Sequence, residues 1–111
     1  EYEDAAVSLI RLLHTVAPEH PLAFGHLLRA IDFWLAPVRE VALAGDDLDP
    51  LARVVRGGYF PHVVLAGGGG DAIPLLEGRT PVDGHAAAYV CERFTCGLPV
   101  TSPEELAASL Q

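Results

Sequence analysis

The stretch Val38–Ala66, VREVALAGDDLDPLARVVRGGYFPHVVLA, decides the fold. Its first part, Val38 to Ala44, is short, becomes apolar towards its end and stops at Gly45-Asp46-Asp47. That is the pattern of a strand running into a turn. Asp49-Pro50 then reads as a helix start, with Asp as N-cap and Pro at the first helical position. Leu51, Val54 and Val55 give this helix an inward face, and Gly57-Gly58 closes it. His62-Val63-Val64-Leu65-Ala66 is a second strand, halted by the glycines at 67–70. Strand, helix, strand at this spacing is a βαβ unit, whose crossover is expected to be right-handed and whose strands are expected to be parallel. The near-continuous apolar run at 63–66 predicts a strand covered on both faces.

On the N-terminal side, Ala6, Leu9, Ile10, Leu13, Val16 and Ala17 recur at helical spacing and predict a helix over 4–17. Phe24, Leu27, Leu28, Ile31, Trp34 and Leu35 make a second stripe and predict a helix over 21–36. Pro21 would sit in its first turn and Pro37 would end it. Together they form an αα-hairpin. On the C-terminal side, Gly and Pro dominate 67–85, where at most one helical turn is expected around Ile73-Pro74-Leu75-Leu76. Ala86 to Cys91 reads as a third strand. Ser102-Pro103-Glu104-Glu105 has the capping-box form that starts a last helix, 103–110. The expected class is therefore α/β: a small, mainly parallel three-stranded sheet (39–44, 62–66, 86–91) flanked by helices. The sequence leaves open whether the third strand lies beside the first or the second.

With 111 residues the chain is long enough for one domain. Fifteen acids against seven basic residues give a formal charge of −8. A phosphate backbone repels such a surface, so no nucleic-acid partner is expected. No apolar run reaches the length of a membrane span, and the acidic N-terminus has no secretory form. We expect a cytoplasmic protein without a membrane partner. There is no Met, at position 1 included, which leads us to expect a piece of a longer polypeptide. All seven basic residues are Arg, and neither Lys nor Asn occurs, a bias that points to a bacterial, GC-rich source.

Few residues could carry chemistry. Gly45-Asp46-Asp47 and Gly67-Gly68-Gly69-Gly70-Asp71 follow the two strands, on the edge where open parallel sheets bind ligands. Glycine-rich turns can also cradle phosphate. Neither loop has a dinucleotide or P-loop pattern, however, and the aspartates would oppose a phosphate, so turn formation is the simpler role. Cys91 and Cys96 stand in a C-x4-C spacing that permits a disulfide or redox pair as well as inert thiols. A zinc site would need two more ligands, and His20, His62 and His85 lack a finger-like spacing to the pair, so no metal is assigned. His14 and His26 lie at stripe edges and read as structural. No G-x-S-x-G elbow is present. No cofactor and no complete active site are expected, and the isolated chain is expected to be a monomer.

The run Pro74-Leu75-Leu76-Glu77-Gly78-Arg79, then Asp83-Gly84, Ala88-Tyr89-Val90-Cys91, Phe94, Cys96, Pro99 and the Ser102–Leu106 helix start, resembles one family. This is the C-terminus of the thioredoxin-domain-containing proteins related to spermatogenesis-associated protein 20. The segments Val38–Gly45 and Tyr59-Phe60-Pro61 are also similar, so the resemblance covers roughly residues 20–111. It implies an upstream thioredoxin-like domain and an α/α barrel akin to six-hairpin glycosidases, from which residues 1–36 would continue. The upstream domains of the same polypeptide would then be the partner, and this region a non-catalytic accessory domain. Cys91 and Cys96 are the positions carried over from the family. The four glycines depart from its pattern.

Overall fold

A computed structural model describes residues 1–68 and 72–111. The chain divides into two compact units, residues 1–36 and residues 37–111.

The first unit is helical. α1 spans Tyr2–Leu13, three residues at Ala17–Glu19 form a 3₁₀ turn, and α2 spans Gly25–Leu35. Both helices are shorter than their stripes suggested. α1 ends at Leu13 with His14 as its C-cap: the His14 N–H still makes the helical bond to the Ile10 carbonyl at 2.8 Å, and its ring Nδ1 bonds the Arg11 carbonyl at 2.8 Å. Pro18 has no N–H to donate, so the α-helical ladder cannot run through it, and the chain takes a 3₁₀ turn there instead. Pro21 does not open α2. Residues 20–24 form a turn in which the N–H groups of Ala23 and Phe24 both donate to the His20 carbonyl. α2 does end where Pro37 requires, with Ala36 extended at ψ 154°. Neither helix contains a buried residue.

The second unit is α/β. β1 (Arg39–Ala44), α3 (Asp49–Gly57), β2 (Val63–Gly67), β3 (Ala87–Glu92), β4 (Thr95–Cys96) and α4 (Pro103–Leu110) follow in order. A 3₁₀ turn at Pro74–Leu76 is the single helical turn expected in the Gly/Pro-rich region. The sheet has four strands in the order β2-β1-β3-β4. β1 and β2 are parallel, from Arg39 opposite Val63 to Leu43 opposite Gly67, as the βαβ reading required. β3 lies beside β1 but runs antiparallel, with Glu40 opposite Cys91 and Ala44 opposite Ala87.

The sheet is thus mixed, not mainly parallel, and has a fourth strand. The chain re-enters it after Asp83-Gly84, both residues at positive φ (49° and 76°), in a turn closed by two Val82–His85 backbone bonds. A parallel third strand would need a crossover, usually a helix, back to the other end of the sheet. Among the described residues, the segment before β3 supplies only a 3₁₀ turn.

The period-2 alternation of β1 sends Val41 and Leu43 to one face and Ala42 and Ala44 to the other, and all four are buried. On the inner face Val41 and Leu43 pack with Leu51 and Ala52 of α3, Ala88 of β3, and Leu106 and Leu110 of α4. β1, not β2, is the strand covered on both sides. β2 is an edge strand, and its Val64 is 41% exposed. The tight junction after β1 explains Gly45, whose φ is 110° and whose added Cβ would lie 3.1 Å from Ala86 Cα and 3.2 Å from Pro81 Cβ.

The two helices of this unit start differently. Ser102 Oγ accepts the Glu105 N–H at 3.2 Å and starts α4 as expected. α3 instead begins one residue early, with Leu48 in the cap position and no side-chain cap. Asp49 is its first residue and pairs with Arg53 one turn on, at 2.9 Å.

Candidate functional site

β3 turns into β4 through two residues, Arg93 and Phe94, both with left-handed backbones (φ 49° and 63°). Positive φ at both central positions is the type I′ hairpin, whose twist matches that of its strands. Non-glycine residues adopt it at a cost of roughly 1–2 kcal/mol each, which local contacts offset. Glu40, across the sheet on β1, accepts the Phe94 N–H through Oε2 at 2.8 Å. Glu92 faces Thr95 and Cys91 faces Cys96. The Gly97 N–H donates to the Val90 carbonyl at 3.0 Å, so the cysteines occupy the intervening pair that makes no ladder bonds, where side chains come closest.

There Cys91 and Cys96 form a disulfide, and no free cysteine remains among the described residues. Their Cα atoms are 3.8 Å apart, nearer than the roughly 5.5 Å usual for a bridge. Cys91 is buried at 2% exposure, whereas Cys96 on the edge strand is partly exposed. Each sulfur also lies 3.7 Å from a backbone oxygen, that of Tyr89 for Cys91 and that of Phe94 for Cys96.

The disulfide belongs to a larger arrangement on the outer face of the sheet. Ala42, Leu75, Leu76 and Cys91 form a second buried cluster, bordered by Ala66, Tyr89 and Cys96. The Arg79 guanidinium sits 5.4 Å from the centre of the Tyr89 ring, within cation–π range. The Tyr89 hydroxyl donates to the Thr80 carbonyl at 2.8 Å. The motif that carried the family resemblance therefore assembles into one layer. Leu75 and Leu76 cap the sheet, Gly78 turns the chain at φ 69°, Asp83-Gly84 make the re-entry turn, and Tyr89, Cys91 and Cys96 complete the surface.

The glycine loops do not assemble one site. Asp46 and Asp47 line a cavity of about 520 Å³ with Pro50, Gly84, His85 and Thr101. Gly67 lines another, of about 420 Å³, with Leu48, Asp49, Arg56 and Ile73. No lining residue is shared. Gly45 is spent on the tight junction after β1, and Gly68 has φ 133°. Gly69, Gly70 and Asp71 lie outside the described residues. Among the described residues no group of three or more His, Cys, Asp or Glu is arranged to hold a metal ion.

Sequence reasoning singled out the cysteine pair but not its neighbours. Glu40 was legible in principle, because a carboxylate in an otherwise apolar central strand needs a donor. Arg79 and Tyr89 stood in the motif that carried the resemblance, but their contact gave no signal of its own, since it depends on the turn that brings residues 79–80 back over β3.

Fold and site together define a small α/β unit with a mixed sheet, one face packed by two helices and the other closed by a turn and a disulfide-clipped hairpin. The chain is similar to spermatogenesis-associated protein 20, which bears out the resemblance seen in its motifs. It is 27% identical to the human protein, 26% to the rat protein and 25% to the mouse protein, in each case over 96% of this chain. The chain spans about 15% of the length of these relatives. No family model and no solved structure matches it. No helix among the described residues is long and apolar enough to cross a membrane.

Proposed function

We propose that this chain is a non-catalytic, C-terminal accessory domain of a larger thioredoxin-domain and α/α-barrel protein, which it stabilises by docking through α1 and α2. One observation carries the reading: the residues on which the family resemblance rests are occupied in building a sheet layer. Leu75, Leu76, Tyr89, Cys91 and Cys96 close the outer face, and the glycines among them set backbone turns. They bring together no nucleophile with a base.

The helical unit supports the docking part. α1 and α2 are amphipathic yet contain no fully buried residue: Ile10, Leu13, Leu27, Leu28 and Ile31 are half-buried, while Leu9 is 52% exposed, Leu12 73%, Trp34 48% and Leu35 77%. Helices of this kind gain most of their stability from covering an apolar face rather than from intrinsic propensity. In the proposed parent, the upstream barrel supplies that cover.

Deleting the residues homologous to 1–111 from a full-length relative tests this. We expect a lower melting temperature and poorer solubility, with any thiol chemistry of the upstream domain retained in the soluble fraction. An unchanged melting temperature, or chemistry lost while stability is kept, would overturn the reading.

A further inference from the structure

The cysteine hairpin goes beyond an accessory role. We propose that Cys91–Cys96 is a thiol–disulfide exchange site, reduced by a dithiol that attacks at Cys96.

Three observations converge on that sulfur. First, displacement at a disulfide sulfur requires the incoming thiolate to approach in line with the bond that breaks. Cys96 stands on β4, which ends the sheet, so no further strand flanks it on the side away from Cys91; Cys91 has β1 on its other side, with Glu40 as its sheet partner. Second, burial agrees with direction: Cys91 is 2% exposed, and Cys96 is partly open. Third, both sulfurs have an acceptor waiting. The Tyr89 and Phe94 oxygens, each 3.7 Å away, can take the S–H bonds that reduction creates, so the reduced pair leaves no buried donor unsatisfied.

The exchange balances as follows. One thiolate of the dithiol bonds to Cys96 Sγ while the bond to Cys91 breaks. Cys91 leaves as a thiolate and takes up a proton. The second sulfur of the dithiol then attacks the first, closing the reductant's own disulfide and releasing Cys96, which is protonated in turn. The chain gains two electrons and two protons, and the dithiol loses them. Once the bridge is gone, the two-residue β4 is held by the Gly97–Val90 bond and by the Glu40 contact to Phe94.

The test treats the oxidised 111-residue chain, folded and without denaturant, with dithiothreitol in one arm and a reduced thioredoxin in the other. Alkylation and mass spectrometry follow the two new thiols, and the faster arm shows whether a small or a protein dithiol suits the site. We expect native reduction within about tenfold of the rate in denaturant. In parallel, glutathione mixed disulfides are mapped on Cys91→Ser and Cys96→Ser, with circular dichroism confirming that each remains folded. Cys96 in the first variant should be modified at least about tenfold faster than Cys91 in the second. Reduction that waits for global unfolding, as in a purely structural staple, would overturn the proposal. So would equal reactivity of the two sulfurs.

Discussion

Unit 37–111 and unit 1–36 use the same kinds of residue to opposite ends. In the first, apolar side chains alternate along β1 and fill two clusters, one on each face of the sheet, with Val41, Leu43 and Leu106 at or below 1% exposure. In the second, the stripes along α1 and α2 are at most half-buried, and only the stretch between the helices holds a fully buried residue, Ala17. Periodicity reports which face wants cover. It does not report who provides it, and that difference is the basis for assigning the helical unit a docking role.

The contrast can be broken or sharpened by substitution in the isolated chain. The largest effect should come from Leu43→Ala, which opens a cavity between β1, α3 and α4. Chemical denaturation should show a loss of about 3 kcal/mol, and a loss below half of that would mean that the inner face is not the core. Replacing both cysteines by alanine should cost about 2 kcal/mol, the loop-closure value for so short a loop. Comparing midpoints with and without the bridge checks it. Ser102→Ala removes the side-chain acceptor at the start of α4, and a loss of about 1 kcal/mol is expected. At the bottom of the scale, Leu12→Ala on α1 should stay within about 0.5 kcal/mol, as for other exposed positions. A loss comparable to that of Leu43→Ala would show that α1 is already covered within this chain and would erase the contrast.

How much of this was legible follows from which signals are local. The βαβ unit could be read because the switch in hydrophobic period and the Gly-Asp-Asp and Gly-Gly stops all lie within the stretch that folds. Ser102 was read correctly because a cap acts on N–H groups two and three residues away. Pro21 misled because one residue type serves both the first turn of a helix and a free turn, and the His20 carbonyl settles which. The direction of β3 was hidden because it depends on a loop with little regular structure of its own. β4 escaped notice because it has two residues, and Arg93-Phe94 lacks the Asn-Gly or Asp-Gly signature of its turn. At the candidate site, the cysteine pair was visible as a spacing. Its pairing depends on the register of the β3–β4 hairpin, which the Arg93-Phe94 turn sets, and its one-sided exposure on β4 lying at the sheet edge.

The central claim, that α1 and α2 are built to dock on the rest of a larger protein, is tested most directly by amide hydrogen exchange. It would be measured on the isolated chain and on a full-length relative that contains it. The account predicts that β1, β3 and α4 are protected in both, while α1 and α2 exchange fast in isolation and become protected in the full-length protein. Equal exchange of α1 and α2 in the two contexts would contradict it.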